Sequence, residues 1–254
     1  MKPELFTIGS FTVHSYGLLI GIGVILCTLL GMYRAKKRDK NQEAVLDLVI
    51  LCVVVGFLGA KLLYVIVEWD RFLRDPMSLL GSEGFVVYGG IIAGVLAAMA
   101  YCRWKKIRFL EYFDLVMPGV ALAQGFGRIG CFMAGCCYGR ETDSFLGVVF
   151  PEESLAPAGV KLLPTQLFSA AGDFLIVLAL LWYEKRARHT GDAGAMYLLL
   201  YGVGRFCIEF LRADERGGIG VLSTSQIISV FIVAGAAFLL RYNHKKAEKA
   251  LQSE

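Results

Sequence analysis

Residues 45–67 read VLDLVILCVVVGFLGAKLLYVIV, an apolar run interrupted only by the ionisable side chains of Asp47 and Lys61. A helix needs about 20 mostly apolar residues to cross the hydrocarbon of a bilayer, and this run is long enough. Six further stretches share its character: Tyr16–Tyr33, Phe85–Cys102, Phe109–Phe126, Thr165–Tyr183, Ala193–Leu211 and Gln226–Leu240. The class they predict is all-α, a polytopic membrane protein with about seven transmembrane helices. Composition agrees, since 56% of the 254 residues are hydrophobic and 19% are charged, too apolar a balance for a soluble domain. The fourth stretch is expected to be broken by Pro118 and its glycines, and the last is the shortest. No repeat or long linker divides the chain, so residues 1–254 read as a single integral membrane domain.

Lysines and arginines set the expected orientation. Arg34, Lys36, Lys37, Arg38 and Lys40 follow the first span, and Arg103, Lys105, Lys106 and Arg108 follow the third. Lys185, Arg186 and Arg188 follow the fifth; Arg241, Lys245, Lys246 and Lys249 follow the seventh. The opposite loops carry only Lys2, Arg71, Arg74, Arg140, Lys161, Arg212 and Arg216. Cationic loops stay cytoplasmic, so the pattern predicts an outside N-terminus and a cytoplasmic C-terminus. The first span is not read as a signal peptide, because its positive charges come after the apolar run and no small-residue cleavage site follows. These anchors against anionic membrane lipids account for the net charge of +4, and no nucleic-acid partner is expected.

Ionisable groups inside a bilayer are costly, which makes each one a candidate for function. In the sixth span Arg205, Glu209 and Arg212 fall at i, i+4 and i+7, on one helix stripe. Two guanidiniums against one carboxylate leave a positive charge over, which suits an anion such as a phospholipid head group. A self-neutralising Arg205–Glu209 pair is the structural alternative. Lys61, Tyr64 and Glu68 share a face near the outer end of the second span, where a lysine often snorkels. Gln166, Ser169 and Asp173 align on the fifth span, for a polar site or for helix packing.

The least ordinary stretch runs from Gly125 through Gly127, Arg128, Gly130, Cys131, Gly135, Cys136 and Cys137 to Gly139. Its glycines and its arginine at membrane depth predict unwound backbone around a polar cavity. Cys27, Cys52, Cys102 and Cys207 lie in apolar spans as small hydrophobes, whereas Cys131, Cys136 and Cys137 form a separate group. A metal site is not expected there, since the vicinal pair is poorly spaced and no histidine is near in sequence. A disulfide from Cys131 to Cys136 or Cys137 is preferred, because this end faces the oxidising side. Tyr88-Gly89-Gly90 opens the third span and Tyr16-Gly17 the first. For Tyr16 the boundary-belt reading is favoured on the residues alone. No hydrolase serine motif, phosphate-binding glycine loop or zinc-protease helix is present, and no cofactor is implied.

These motifs resemble the prolipoprotein diacylglyceryl transferases of bacterial inner membranes, over nearly the whole chain. The family signature Gly-Arg-x-Gly-Asn-Phe-x-Asn-x-Glu, followed by Gly, is similar to Gly127-Arg128-Ile129-Gly130-Cys131-Phe132 up to Gly139. Gly59-Ala60-Lys61-Leu62-Leu63-Tyr64 also resembles the family, with Lys61 at a usual arginine, as do Tyr201-Gly202 with Arg205, Glu209 and Arg212. Asp114 with Pro118, Pro164 with Gln166, and Ser223 to Gln226 fit the same pattern. The departures are chemical: Tyr88 stands where the family has the histidine of His-Gly-Gly, Cys131 and Ala134 stand at the asparagines, Cys136 at the glutamate, and Phe168-Ser169 at Tyr-Glu.

The resemblance implies a reaction in which the thiol of a lipobox cysteine in a prolipoprotein signal peptide attacks the glyceryl carbon of phosphatidylglycerol and expels glycerol phosphate. It implies Tyr88, Arg128 and Arg205 as catalytic. Tyr16, Lys61, Gly89, Gly90, Gly127, Gly130, Glu209 and Arg212 are implied as substrate-binding. A phenol is a poor base at neutral pH, so Tyr88 is expected to orient the phosphate. The alternatives are a divergent lipid transferase with another acceptor, and a small-solute or lipid transporter, against which the absent internal repeat argues.

Overall fold

The structure is a computed structural model in which residues 4–8, 11–81, 84–186, 189–213, 218–219 and 222–252 are described. Lys2, Arg188 and Arg216 of the charge pattern lie outside the described residues. The helices are α1 Ser15–Lys37, α2 Gln42–Val67, α3 Trp69–Arg74, α4 Pro76–Gly81, α5 Val87–Trp104, α6 Phe109–Ala134, α7 Thr165–Tyr183, α8 Asp192–Glu209 and α9 Thr224–Gln252. Among the described residues, three two-stranded antiparallel ribbons flank or join them: β1 Glu4–Ile8 with β2 Phe11–His14 before α1, β3 Val148–Val149 with β4 Lys161–Leu162, and β5 Gly218–Ile219 with β6 Leu222–Ser223.

The long helices match the seven apolar stretches. Six of them (α1, α2, α5, α6, α7 and the Thr224–Lys245 part of α9) are long and apolar enough to cross a membrane. The seventh, α8, carries Asp192, Arg205 and Glu209 within its 18 residues. Apolar side chains such as Ile25, Leu29, Val54, Phe57, Leu62 and Phe231 are exposed along these helices. Such a surface is tolerable only against lipid.

Two expectations are corrected. Helix α6 is continuous from Phe109 to Ala134 with Pro118 inside it, so the glycine-rich stretch stays helical as far as Ala134 and leaves the helix only from Gly135 on. In hydrocarbon the backbone must satisfy its own hydrogen bonds, which holds the helix together across its glycines. Those glycines instead admit neighbours: a Cβ at Gly119 would meet the Cys27 carbonyl oxygen at 2.8 Å, and one at Gly125 would meet the Phe174 ring. The last helix, expected to be the shortest, has 29 residues, because its polar end continues the helix beyond the apolar part.

The chain forms two compact units, one holding the residues up to Gly31 and from Phe113 onward, the other Met32–Tyr112. In the second, Asn41 caps α2 by accepting from the backbone N–H groups of Glu43 and Ala44. Helices α2 and α5 then pack through glycines, Gly56 and Gly59 against Gly89 and Gly90.

In the first unit, Ala121, Val177, Leu180 and Tyr197 make a core shared by α6, α7 and α8. The segment between α6 and α7 builds a smaller core of Phe150, Ala156 and Leu162, with Phe132 and Tyr138 against it. Asp114 fixes the start of α8: its buried carboxylate accepts from Gly191 N at 2.6 Å and Gly194 N at 2.7 Å. An anion at a helix N-terminus is doubly favourable, through the hydrogen bonds and the dipole. Asp114→Ala should strand two buried N–H donors, at about 1–3 kcal/mol each. A lowered unfolding temperature of the detergent-solubilised protein, relative to wild type, is the expected readout.

Candidate active site

Periodicity places Arg128 on α6, Asp173 on α7 and Arg205 on α8, and the fold of the first unit gathers all three around one cavity. Its volume is about 100 Å³, and Arg128, Ser169, Asp173, Tyr201, Gly204 and Arg205 line it together with Phe168, Gly172, Ile176 and Ile208. The cavity has room for one small anionic group and not for a whole lipid. Asp173 is buried, and with Tyr201 it is an electrostatic neighbour of Arg128.

Arg205 is held from two sides. Its guanidinium donates to the Glu209 carboxylate at 2.5 Å and to Ser225 Oγ, at the start of α9, at 2.8 Å. Arg212 Nε lies 4.0 Å from the same Glu209 carboxylate. All three side chains are largely withdrawn from solvent, at 11%, 7% and 4% exposure for Arg205, Glu209 and Arg212. Of the expected stripe, Arg205 and Glu209 lie on α8, which ends at Glu209, while Arg212 follows the helix in the next turn and still places the carboxylate between two guanidiniums.

Other candidates of this unit take different places. Gly130 packs against Tyr16, whose Cδ2 would lie 3.2 Å from an added Cβ, so helix contact explains that glycine. Gly127, beside Arg128, has nothing within 4 Å of its missing Cβ. Gln166 shares the α7 stripe with Ser169 and Asp173 but turns elsewhere, donating to the Cys136 carbonyl at 2.8 Å. The Cys131–Cys136/Cys137 disulfide is not formed: all seven cysteines are free thiols. Positive φ at Gly135 (76°) and Cys137 (63°) turns the chain sharply after α6 and brings the three sulfurs together unbonded. Hydrogen bonds from the Cys131 and Cys136 thiols, and then the Arg212 guanidinium, pull the Cys137 thiol well below its ordinary range. The same network pushes Cys136 above it.

Lys61, Tyr88, Gly89 and Gly90 belong to the other unit. Lys61 Nζ lies 5.2 Å from the Tyr64 ring centre and 5.0 Å from that of Phe85, and donates to the Gly84 carbonyl at 3.4 Å. It sits in an aromatic notch that also shields its charge. Tyr88 is half-buried in the first turn of α5. Gly89 and Gly90 are accounted for by the α2–α5 contact: a Cβ at Gly90 would lie 2.8 Å from the Gly56 carbonyl oxygen.

Tyr201 and Ser225 were not singled out as lining or buttressing residues. Tyr201 has a sequence signal, since it stands four residues before Arg205 on the same stripe. Ser225 has only its place in the Ser223–Gln226 match, because it reaches Arg205 from another helix.

The family model described as prolipoprotein diacylglyceryl transferase matches residues 3–242. The chain is 48% identical over 252 residues to a protein of Clostridium perfringens named phosphatidylglycerol–prolipoprotein diacylglyceryl transferase 2, covering 98% of each. It is 44% identical to the Clostridium tetani protein named phosphatidylglycerol–prolipoprotein diacylglyceryl transferase, covering 94% of this chain and 96% of that one. A Finegoldia magna protein of the same name is 34% identical, with 95% and 96% covered.

Proposed function

Because the chain belongs to the prolipoprotein diacylglyceryl transferase family, we propose that Arg128 and Arg205 clamp the phosphate of phosphatidylglycerol while its diacylglyceryl group passes to a cysteine thiol. The protein is a multi-pass transferase of the bacterial inner membrane. It acts on phosphatidylglycerol and on prolipoproteins, which supply the lipobox cysteine. The observation that carries the residue assignment is the convergence of two guanidiniums from different helices on one cavity. The charge pattern supports an outside N-terminus and a cytoplasmic C-terminus, with seven crossings. In this reading residues 1–254 work as one membrane domain, since neither compact unit carries every candidate residue.

In the reaction the cysteine sulfur forms a bond to the glyceryl carbon that bears the phosphate, the carbon–oxygen bond breaks, and glycerol phosphate leaves. The leaving phosphate gains negative charge, and the thiol proton passes to that phosphate or to water. Arg128 and Arg205 face that developing charge, and donors fixed in advance at such a position are the largest single source of rate enhancement in many enzymes. Glu209 holds Arg205 in its fork geometry, with Ser225 as the second brace, and Arg212 stands 4.0 Å from the same carboxylate. Gly127 leaves open space beside Arg128 for the substrate. Lys61 and Tyr88, in the second unit, are assigned to phosphatidylglycerol by the family resemblance alone.

The test is mass spectrometry of a lipobox peptide incubated with the purified protein and phosphatidylglycerol in detergent. A diacylglyceryl adduct on the cysteine is expected. No adduct, while a family member that retains the histidine is active alongside, would redirect the assignment to another acceptor. In the same assay Tyr88→Phe should lower kcat/KM about tenfold, the value of one hydrogen bond lost in the transition state. Full activity would remove Tyr88 from the site.

A further inference from the structure

We propose that Cys131, Cys136 and Cys137 form a three-thiolate site that binds one thiophilic divalent cation of the zinc and cadmium class. Their three Sγ atoms all lie within 4.8 Å of one another. A metal–sulfur bond of about 2.3 Å in tetrahedral geometry separates two sulfurs by about 3.8 Å, so closing the site takes side-chain rotations and no rebuilding of the backbone. The thiols sit beside the described cavity without lining it, and the transferase chemistry above leaves them unused.

The backbone is shaped for such a cluster. Cys131 lies in the last turn of α6, and the left-handed turn at Gly135 throws Cys136 back over it, with Cys136 N donating to the Cys131 carbonyl at 3.1 Å. Cys137 then adopts φ 63°, a conformation that costs a non-glycine residue about 1–3 kcal/mol and persists only where the surroundings enforce it. Two side chains at the start of α7 enforce it. Thr165 Oγ1 donates to the Cys137 carbonyl at 2.9 Å and Gln166 Nε2 to the Cys136 carbonyl at 2.8 Å, and both residues are 1% exposed. Four residues separate Cys131 from Cys136, the long end of the ligand spacing found in zinc sites, and the turn makes the vicinal Cys137 a third donor.

Charge favours the same occupant. Three thiolates around a divalent cation carry one net negative charge, and the Arg212 guanidinium is an electrostatic neighbour of Cys137, as Arg128 is of Cys131 and Cys137. A buried anionic complex is thus compensated where it forms. Softness selects the metal: an all-sulfur donor set suits zinc, cadmium or copper(I), and excludes magnesium and calcium.

The experiment is a cadmium chloride titration of the full-length protein in detergent, reduced with a phosphine and desalted. Thiolate-to-cadmium charge-transfer absorption is expected to rise to one equivalent per chain and stop, and zinc should bleach it. Cys131→Ser, Cys136→Ser and Cys137→Ser should each weaken binding by on the order of tenfold or more, at least the cost of losing a supporting partner of a metal ligand, while Cys52→Ser leaves it unchanged. No absorption with wild-type protein that elutes as a single symmetric peak would overturn the proposal without recourse to any variant. So would a band that survives Cys131→Ser/Cys136→Ser, or a disulfide within the trio that, once reduced, still leaves cadmium unbound.

Discussion

Arg128→Ala should lower kcat/KM in the lipobox-peptide assay by about 10²–10³ while the protein still inserts and elutes as a single species. Arg128 contributes to the cavity from α6 and does not hold the helices together through an ion pair with Glu209, so its loss falls on the substrate side. Arg205→Ala should cost at least as much, but for two reasons. It removes the second guanidinium, and it takes from the largely buried Glu209 carboxylate its closer guanidinium partner. The double variant Arg205→Ala/Glu209→Gln separates these effects: it should recover thermal stability without recovering activity. Arg205→Lys should keep the charge and lose the fork that now engages Glu209 and Ser225 together, giving an intermediate rate. A fully active Arg128→Ala enzyme would mean that the phosphate is bound elsewhere.

The positions of the spans were legible because the bilayer imposes a length and a composition that soluble folding does not. The Arg205–Glu209 pair was legible for the same reason, since charges are rare at that depth and a helix has a known period, whereas α8 ends before Arg212. What was not legible is which helix faces which. Ser225 braces Arg205 across a gap in sequence that carries no periodic signal, and Asp114 caps α8 from a distant position on α6. The Cys131–Cys136–Cys137 group was read from spacing alone, which misses that a left-handed residue can turn two adjacent cysteines toward a third. The continuity of α6 through Pro118 was misjudged because local propensity argues for a break, whereas the apolar environment penalises the unpaired backbone groups that a break creates.

Glycine was the least legible residue of all, because an absent side chain makes room equally for a neighbouring helix or for a substrate. Structure divides the two cases, and substitution should divide them again. At the α2–α5 crossing an added Cβ would stand 2.7 Å from the Gly89 carbonyl oxygen if placed at Gly59, and 2.5 Å from Leu63 Cβ if placed at Gly89. Both obstacles belong to helix backbone or to its first side-chain atom, so neither can swing away, and the two helices must separate. Separation removes the close backbone contact on which helix pairs in lipid depend. Gly59→Leu and Gly89→Leu are therefore expected to abolish the monodisperse peak in size-exclusion chromatography of solubilised membranes. Gly127→Ala is the contrasting case: nothing lies within 4 Å of the new methyl group, and alanine favours the helix by about 0.5–1 kcal/mol. Its chromatogram should match wild type and its melting temperature should not fall. Activity should nevertheless drop about tenfold or more, as expected where a group is pushed into space that the substrate needs beside a catalytic arginine. A Gly127→Ala enzyme as active as wild type would show that this open space is filled by lipid or water, and would confine the substrate to the cavity between Arg128 and Arg205.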